Sequence, residues 1–364
     1  MTSADTSIKR NISLDILKIL SMVMVIILHT KTYGLQNTTL SPYSGVYWFA
    51  WIFHIFSLVA VNCFVLISGY FISASKTNNK KLFKLWFHTL FFSVGIYLIF
   101  CLICGNKSIF SMGQLLYQLF PVMSNQYWFF TCYFVLMVVS PFINKYLASL
   151  EQKEFQKLIF VLLAVFMVIP TLNLFGDNFD SSNGYSATWF VVLYCVGAYI
   201  RRFPLSKKPY GIFYVTLSIA SVFINFLLEN CEHISPLFKN FKEIFYRYNS
   251  ATVFLASVCL FLFFINRPIH TDKKWGKIIS TVSSSSFCVY LIHEHPYIRD
   301  FIWNDTVRLF EATNNLGSYL LRILITIISI LFLGTATGII LNAVTSFIEK
   351  TFIKLKTNKN TERK

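Results

Sequence analysis

The sequence predicts an all-α membrane protein that crosses a lipid bilayer about ten times. Its composition is 55% hydrophobic and only 13% charged, whereas a soluble domain carries about 25% charged residues. The mean hydropathy is +0.58. Apolar runs of about 17–25 residues, the length that spans the hydrocarbon core, recur along the chain. A polytopic membrane protein is therefore the predicted class.

Ten apolar runs follow one another, and each is predicted to be a spanning helix. They lie near residues 12–33, 46–72, 83–104, 126–146, 157–175, 186–201, 210–228, 249–266, 278–296 and 317–347. The last run is longer than a bilayer requires, so we expect it to tilt or to extend past the membrane. The predicted organisation is a polar cytoplasmic segment 1–11, a transmembrane domain 12–348 and a basic cytoplasmic tail 349–364. The first run lacks a small-residue cleavage site, so no signal peptide is predicted.

The basic residues are distributed unevenly between the loops. With a cytoplasmic N-terminus and ten crossings, 24 of the 32 lysines and arginines fall on the cytoplasmic side. Basic residues favour cytoplasmic loops, so this bias places both termini in the cytoplasm. An odd number of helices would assign some loops to the wrong side of the membrane and would remove this charge bias. The bias therefore favours ten helices.

The net charge of +16 does not indicate nucleic-acid binding, because the basic residues are spread over short loops and the tail as topology signals. The eight cysteines lie mostly in apolar segments, where buried packing thiols are the expected role. Cys101 and Cys104 form a single CxxC pair with no second pair, so no metal site is predicted.

Two ionisable residues lie inside the first predicted helix. Lys18 and His29 are eleven residues apart, which at about 100° per residue places them on nearly the same helix face. They are separated by about 16 Å along the helix axis. Ionisable groups in a spanning helix are costly and indicate a functional site that faces the bundle interior.

A ligand with phosphates at one end and a reactive group about 15 Å away would fit a helix with this spacing. Acyl-coenzyme A has that shape, with a charged nucleotide and a pantetheine arm that ends in a thioester. Lysine suits phosphate as a compact charge. Arg10, Lys80, Lys81 and Lys84 would add positive potential on the same side, although each is equally explained as a topology determinant.

Three further histidines lie on hydrophobic segments. His54 and His88 are more simply explained by hydrogen bonds to neighbouring helices. His293 is predicted at the depth of His29, where it would orient that residue or contact an acceptor; the alternative is a histidine at a helix end. The predicted outer loops near 229–248 and 297–316 are rich in aromatic residues, which would bind a sugar or anchor helices at the interface.

Five segments resemble the acyltransferase-3 family of integral membrane O-acyltransferases, which modify bacterial surface glycans. They occur in the family's order and are LDILKILSMVMVIILH, FVLISGYF at 64–71, QYWFFTCYFVLMVVSPFIN, VGAYIRRF and SSSSFCVYLIH. Lys18 stands where arginine is common in the family and is an accepted alternative. The esterase-like domain that some members append is absent, so we expect any second transfer step to need a partner protein.

The resemblance implies an O-acetyltransferase of the cell (inner) membrane. Acetyl-CoA would be a co-substrate, with no permanently bound cofactor, and the acceptor would be a hydroxyl of a surface polysaccharide or of its lipid-linked precursor. His29 would be the general base, and Lys18, Arg10 and Lys84 would contact the donor. Supporting roles are expected for His293, Trp128, Ser68, Tyr70 and Asp15. Trp128 would line the tunnel that holds the donor or would bind a sugar face. Asp15 would pair with Lys18 or with another helix.

Two other classes of function remain as alternatives. A transporter or flippase for a lipid-linked sugar would use Lys18 and His29 as a proton relay, but the sequence shows no internal repeat. A non-catalytic sensory or assembly subunit is disfavoured by the intact pair. The sequence leaves open the acyl group, the acceptor hydroxyl, a covalent acyl-enzyme and the oligomeric state, with a homo-oligomer among the alternatives.

Overall fold

The computed structural model describes residues 11–36, 38–41, 44–74, 79–103, 110–172, 182–231, 234–235 and 245–361. Within these ranges the secondary structure is helical, with no β-strand. The helices are α1 Ile12–Thr32, α2 Gly45–Ser57, α3 Ala60–Ile72, α4 Asn79–Ile103, α5 Met112–Leu119, α6 Trp128–Ser149, α7 Gln152–Leu172, α8 Ala187–Arg202, α9 Tyr210–Cys231, α10 Ala251–Ile265, α11 Lys273–His293, α12 Pro296–Asp300 and α13 Leu316–Thr361. The all-α prediction is confirmed.

Each of the ten predicted runs coincides with a helix, and the second run is divided between α2 and α3. Among the described residues, seven helical segments are long and apolar enough to cross a membrane: α1, α2 with α3, α4, α6, α7, α9 and residues 316–347 of α13. The chain is therefore a multi-pass membrane protein. Helices α8 and α10 have only 16 and 15 residues, and α11 is rich in serine. Ten crossings and cytoplasmic termini consequently stay predictions.

Local sequence explains where α11 and α6 begin and end. Helix α11 starts at Lys273, before the predicted residue 278, because the Asp272 side chain accepts a hydrogen bond from the Trp275 backbone and caps the first turn. Helix α6 extends to Ser149 although it contains Pro141. The apolar runs alone predict a start at 278 for α11 and an end at 146 for α6.

Helix α1 lies at the centre of the bundle and contacts α2, α3, α10, α11 and α13. Beside it, α3 and α8 pack with their backbones in contact, because a Cβ atom at Gly69 would overlap the Tyr194 carbonyl and one at Gly197 would overlap the Leu66 carbonyl. Small residues allow this approach between membrane helices.

Hydrogen bonds fix the two ends of the bundle. Ser13 donates to the Arg267 carbonyl and accepts from the Ile269 amide, so α1 starts where α10 ends. Arg201, near the end of α8, donates to the Tyr70 hydroxyl near the end of α3. We call the end of the bundle that contains these two junctions the basic end. At the opposite end, called the far end, the residues that follow α1 and α11 are bonded to each other.

Candidate active site

A cavity of about 510 Å³ lies inside the bundle, alongside α1. The α1 residues that line it are Lys18, Met22, Val25, Leu28, His29 and Thr32. Their spacing of three or four residues marks one face of the helix. The predicted pair therefore shares one face and one cavity.

The part of the cavity nearest the basic end is polar on one side and apolar on the other. This basic arm is lined by Lys18, Phe71, Ile72, Leu85, Ser283 and Ser284. The Lys18 ammonium lies 5.8 Å from the centre of the Phe71 ring. One turn earlier, the buried Asp15 carboxylate accepts a hydrogen bond of 2.7 Å from Ser283, which attaches α1 to α11. A cation and hydroxyl groups beside apolar walls suit a ligand whose phosphate is attached to a largely apolar chain.

His29 is held from behind by a buried carboxylate. Its Nε2 atom lies 3.3 Å from Oε2 of Glu294, which immediately follows α11 and is 3% exposed. The two groups lie at ion-pair distance without forming a hydrogen bond, since Oε2 has no hydrogen-bond partner among the described residues. A hydrogen on Nε2 would face this carboxylate and would leave the lone pair on Nδ1. The buried Nδ1 atom has no hydrogen-bond partner among the described residues. In that tautomer His29 would have the free lone pair that a general base needs.

The Glu294 carboxylate is itself fixed by two neighbours. Tyr33 donates to Oε1 at 3.0 Å, and the Arg299 guanidinium lies 3.6 Å from the same oxygen. Burial and the nearby carboxylate raise the pKa of Tyr33 above its usual range, so its phenol stays a neutral donor. Arg299 also lies 4.6 Å above the Tyr33 ring. These contacts orient Glu294 toward His29.

His293 is fully buried beside His29, with 5.1 Å between the ring centres. Its Nδ1 atom donates to the Val289 carbonyl at 2.6 Å, which leaves a lone pair on Nε2. Ligand atoms of His29, His293 and Glu294 lie within 4.8 Å of one another, a set that could hold a metal ion. Arg299 would repel such an ion, and Glu294 already accepts from Tyr33, so we interpret the carboxylate as a hydrogen-bond acceptor.

Beyond His29, toward the far end, the cavity is walled by aromatic rings. This aromatic arm is lined by His54, Trp128, Tyr185, Tyr246 and Tyr248. Trp128 stacks on Tyr248 at 5.9 Å with 19° between the ring planes, and Tyr185 lies 4.4 Å from Trp128. Flat aromatic faces with phenol groups at their edges can pack against an apolar ring face and hydrogen-bond its substituents.

The predicted site residues fall into three groups. Lys18, His29, Ser68 and Trp128 line the cavity, whereas Asp15 and His293 support its wall from behind. Ser68 bonds to the Phe64 carbonyl and to the Tyr133 hydroxyl. Lys84 precedes the lining residue Leu85 without lining the cavity, and Tyr70 packs against Arg201 outside it. Arg10 lies outside the described residues.

Sequence reasoning missed three residues of this site. They are Glu294, which falls in the predicted run 278–296, Tyr33, and His54, for which the sequence favours a hydrogen bond to a neighbouring helix. A signal for Glu294 was present, because it follows His293 directly at the end of an apolar helix. Its partner could not be read from the sequence, since His29 is 265 residues away.

A family model described as an acyltransferase domain matches residues 11–341. The comparisons with curated proteins and with solved structures returned no match. The matched region contains both the α1 cavity face and Glu294, and it covers nearly the whole chain. The predicted family is therefore confirmed: the chain belongs to the acyltransferase-3 family and is a membrane acyltransferase.

Proposed function

We propose that this protein transfers an acetyl group from acetyl-CoA to a hydroxyl of a surface polysaccharide or of its lipid-linked precursor. The observation that carries the proposal is the single cavity that Lys18 and His29 share on one face of α1. The basic arm suits a donor with phosphates, and the aromatic arm suits a sugar. His29 lies between the two arms, where the thioester and the hydroxyl would meet.

The reaction needs a base for the hydroxyl proton. His29 Nδ1 accepts that proton while the sugar oxygen attacks the thioester carbonyl. The tetrahedral intermediate then collapses, the carbon–sulfur bond breaks, and the imidazolium returns the proton to the departing thiolate. Glu294 would stabilise the imidazolium electrostatically, because its carboxylate lies 3.3 Å from Nε2. The products are an acetyl ester and free coenzyme A.

The intermediate also needs a donor for its oxyanion. Tyr290 lines the cavity on α11, one turn before His293. Its buried hydroxyl has no hydrogen-bond partner among the described residues. We assign this hydroxyl as the oxyanion donor.

Lys18 contributes by position rather than by chemistry. Its ammonium would bind a phosphate of the donor in the basic arm, so that the pantetheine chain extends along α1 toward His29. Lys84 would add positive potential from the adjacent helix. The basic end would face the cytoplasm, where acetyl-CoA is made available, and the aromatic arm would receive the acceptor from the outer side.

NMR of the surface glycan from cells with and without the gene tests the proposal directly. An ester-linked acetyl signal that is present with the wild-type gene and absent with His29→Gln supports it. Binding of radiolabelled acetyl-CoA to the purified protein separates the enzyme from a flippase. A glycan that carries no acyl ester, together with a protein that binds no acetyl-CoA, would overturn the assignment.

A further inference from the structure

A second recess lies on the outside of the bundle, between the start of α9 and the end of α10. It encloses about 870 Å³ and shares no lining residue with the central cavity. Leu20 of α1 lines its inner wall. We call this recess the lateral groove. The acyl-transfer chemistry proposed above does not use it.

One part of the lateral groove is strongly basic. Its lining includes Lys207, Lys208 and Arg267, and no carboxylate of the described residues lines it. All three cations are exposed. The buried amide nitrogen of Asn266, also in the lining, has no hydrogen-bond partner among the described residues. Three cations and an unused donor converge on a site for an anion.

The rest of the lateral groove is apolar and opens toward the surrounding hydrocarbon. Ile212 is 63% exposed and Val215 is 41% exposed, on the surface of a helix long and apolar enough to span the membrane. Phe263 forms the opposite wall and lies so close to Gly211 that a Cβ atom there would touch its ring. The absence of a side chain at Gly211 therefore lets the Phe263 ring contact the α9 backbone at this edge of the groove.

Charge and apolar surface are arranged in the order found in a phospholipid. The cations lie at the basic end of the bundle, in the segment just before α9 and just after α10. The apolar walls extend from there along both helices toward the membrane interior. A free phosphate would contact only the cations, whereas a diacyl lipid would contact both the cations and the apolar walls. Basic recesses between membrane helices are suited to anionic headgroups.

We propose that the lateral groove binds one anionic phospholipid, with its phosphate against Lys207, Lys208 and Arg267 and an acyl chain between Ile212 and Phe263. The occupant is anionic because three positive charges face it without a compensating carboxylate in the lining.

The bound lipid would join three helices at the basic end. Leu20 contributes one wall and stands two residues after Lys18 on α1. The start of α1 is already bonded to the segment after α10 through Ser13 and the Arg267 carbonyl. The lipid therefore strengthens an existing junction beneath the basic arm.

Native mass spectrometry of the full chain, purified in detergent, tests the site without any assay of activity. We expect one phosphatidylglycerol to be retained in preference to phosphatidylcholine. The triple variant Lys207→Gln, Lys208→Gln and Arg267→Gln should weaken retention by about 100-fold, since each cation near a membrane surface contributes about fivefold. The replaced side chains are exposed, so folding is not at risk.

A matched control removes three exposed lysines elsewhere, Lys145, Lys153 and Lys157, which do not line the groove. The control should retain the lipid like the wild type. Equal losses in both triple variants, or equal retention of the two lipids by the wild type, would overturn the proposal. Competition by inorganic phosphate at equal concentration would also overturn it, because the site would then bind a free anion. Failure of acetyl transfer would leave these results unaffected.

Discussion

The two arms of the central cavity differ in chemistry although the same helix borders both. The basic arm combines the Lys18 ammonium and serine hydroxyls with aliphatic walls. The aromatic arm combines stacked rings, phenols and the His54 imidazole. A symmetrical binding site for one ligand would not change character in this way. The contrast is what the proposed function requires, in which donor and acceptor approach His29 from opposite directions.

Removal of the residue between the arms should have the largest effect. His29→Gln keeps a polar side chain but has no titratable base, so we expect kcat to fall by about 10³-fold or more, within the range that base catalysis contributes. Acetyl-CoA binding should persist. A steady-state assay of ester formation checks the rate, and equilibrium binding checks the donor site. His88→Gln serves as the control, because His88 is buried but does not line the cavity. Similar rates for both variants would exclude His29 as the base.

Loss of the carboxylate behind His29 should have the second largest effect. Glu294→Gln keeps the shape but removes the charge that stabilises the imidazolium. We expect kcat to fall by about 10–100-fold with little change in either KM, since a hydrogen bond to a charged group contributes about 1.5–3 kcal/mol. Steady-state kinetics with both substrates checks this. Asp300→Asn is the control, since Asp300 is the exposed carboxylate on the other side of Arg299. A change in KM alone would assign Glu294 to substrate binding instead.

Neutralisation of the basic arm should impair only the donor. Lys18→Ala should raise KM for acetyl-CoA by about tenfold, which corresponds to about 1.4 kcal/mol. Lys18→Arg should retain most of the affinity. With acetyl-pantetheine, which lacks the nucleotide phosphates, wild type and Lys18→Ala should have the same KM. A persistent difference with the truncated donor would show that Lys18 acts on the thioester end.

Disruption of the aromatic arm should have the smallest effect and should impair only the acceptor. Trp128→Ala removes one ring of a stack, worth about 1 kcal/mol, so KM for the acceptor should rise by about fivefold. KM for acetyl-CoA should stay unchanged. The acceptor KM of Trp128→Phe should lie between those of the wild type and of Trp128→Ala. An effect on donor KM of equal size would mean that the arms are not separate.

The periodicity of a single helix predicted half of the site. Lys18 and His29 could be placed on one face because helical geometry relates residues within one segment. Residues on different helices carry no such relation in the sequence. Glu294 reaches His29 only because α11 ends at the same level as α1. Tyr70 was grouped with Ser68 by its motif, yet its ring faces Arg201 outside the cavity.

The helical type of the predicted segments followed from apolar run length, but their internal breaks did not. The run at 46–72 is continuous in hydropathy, whereas the structure interrupts it at Leu58 and Val59. This break separates α2, which carries His54 into the aromatic arm, from α3, which packs on α8. Hydropathy reports only the affinity for lipid and is insensitive to a change of helix direction.

A cavity with a cation at one end and an imidazole farther along presents a bioenergetic hazard, because a continuous file of water would conduct protons. The lining between the two groups is mostly aliphatic and aromatic, including Met22, Val25 and Leu28. Such surfaces hold water poorly, and a dry stretch interrupts a proton wire. The apolar wall that would guide the pantetheine chain in the proposed function would therefore also insulate the membrane, so that acylation need not dissipate the ion gradient.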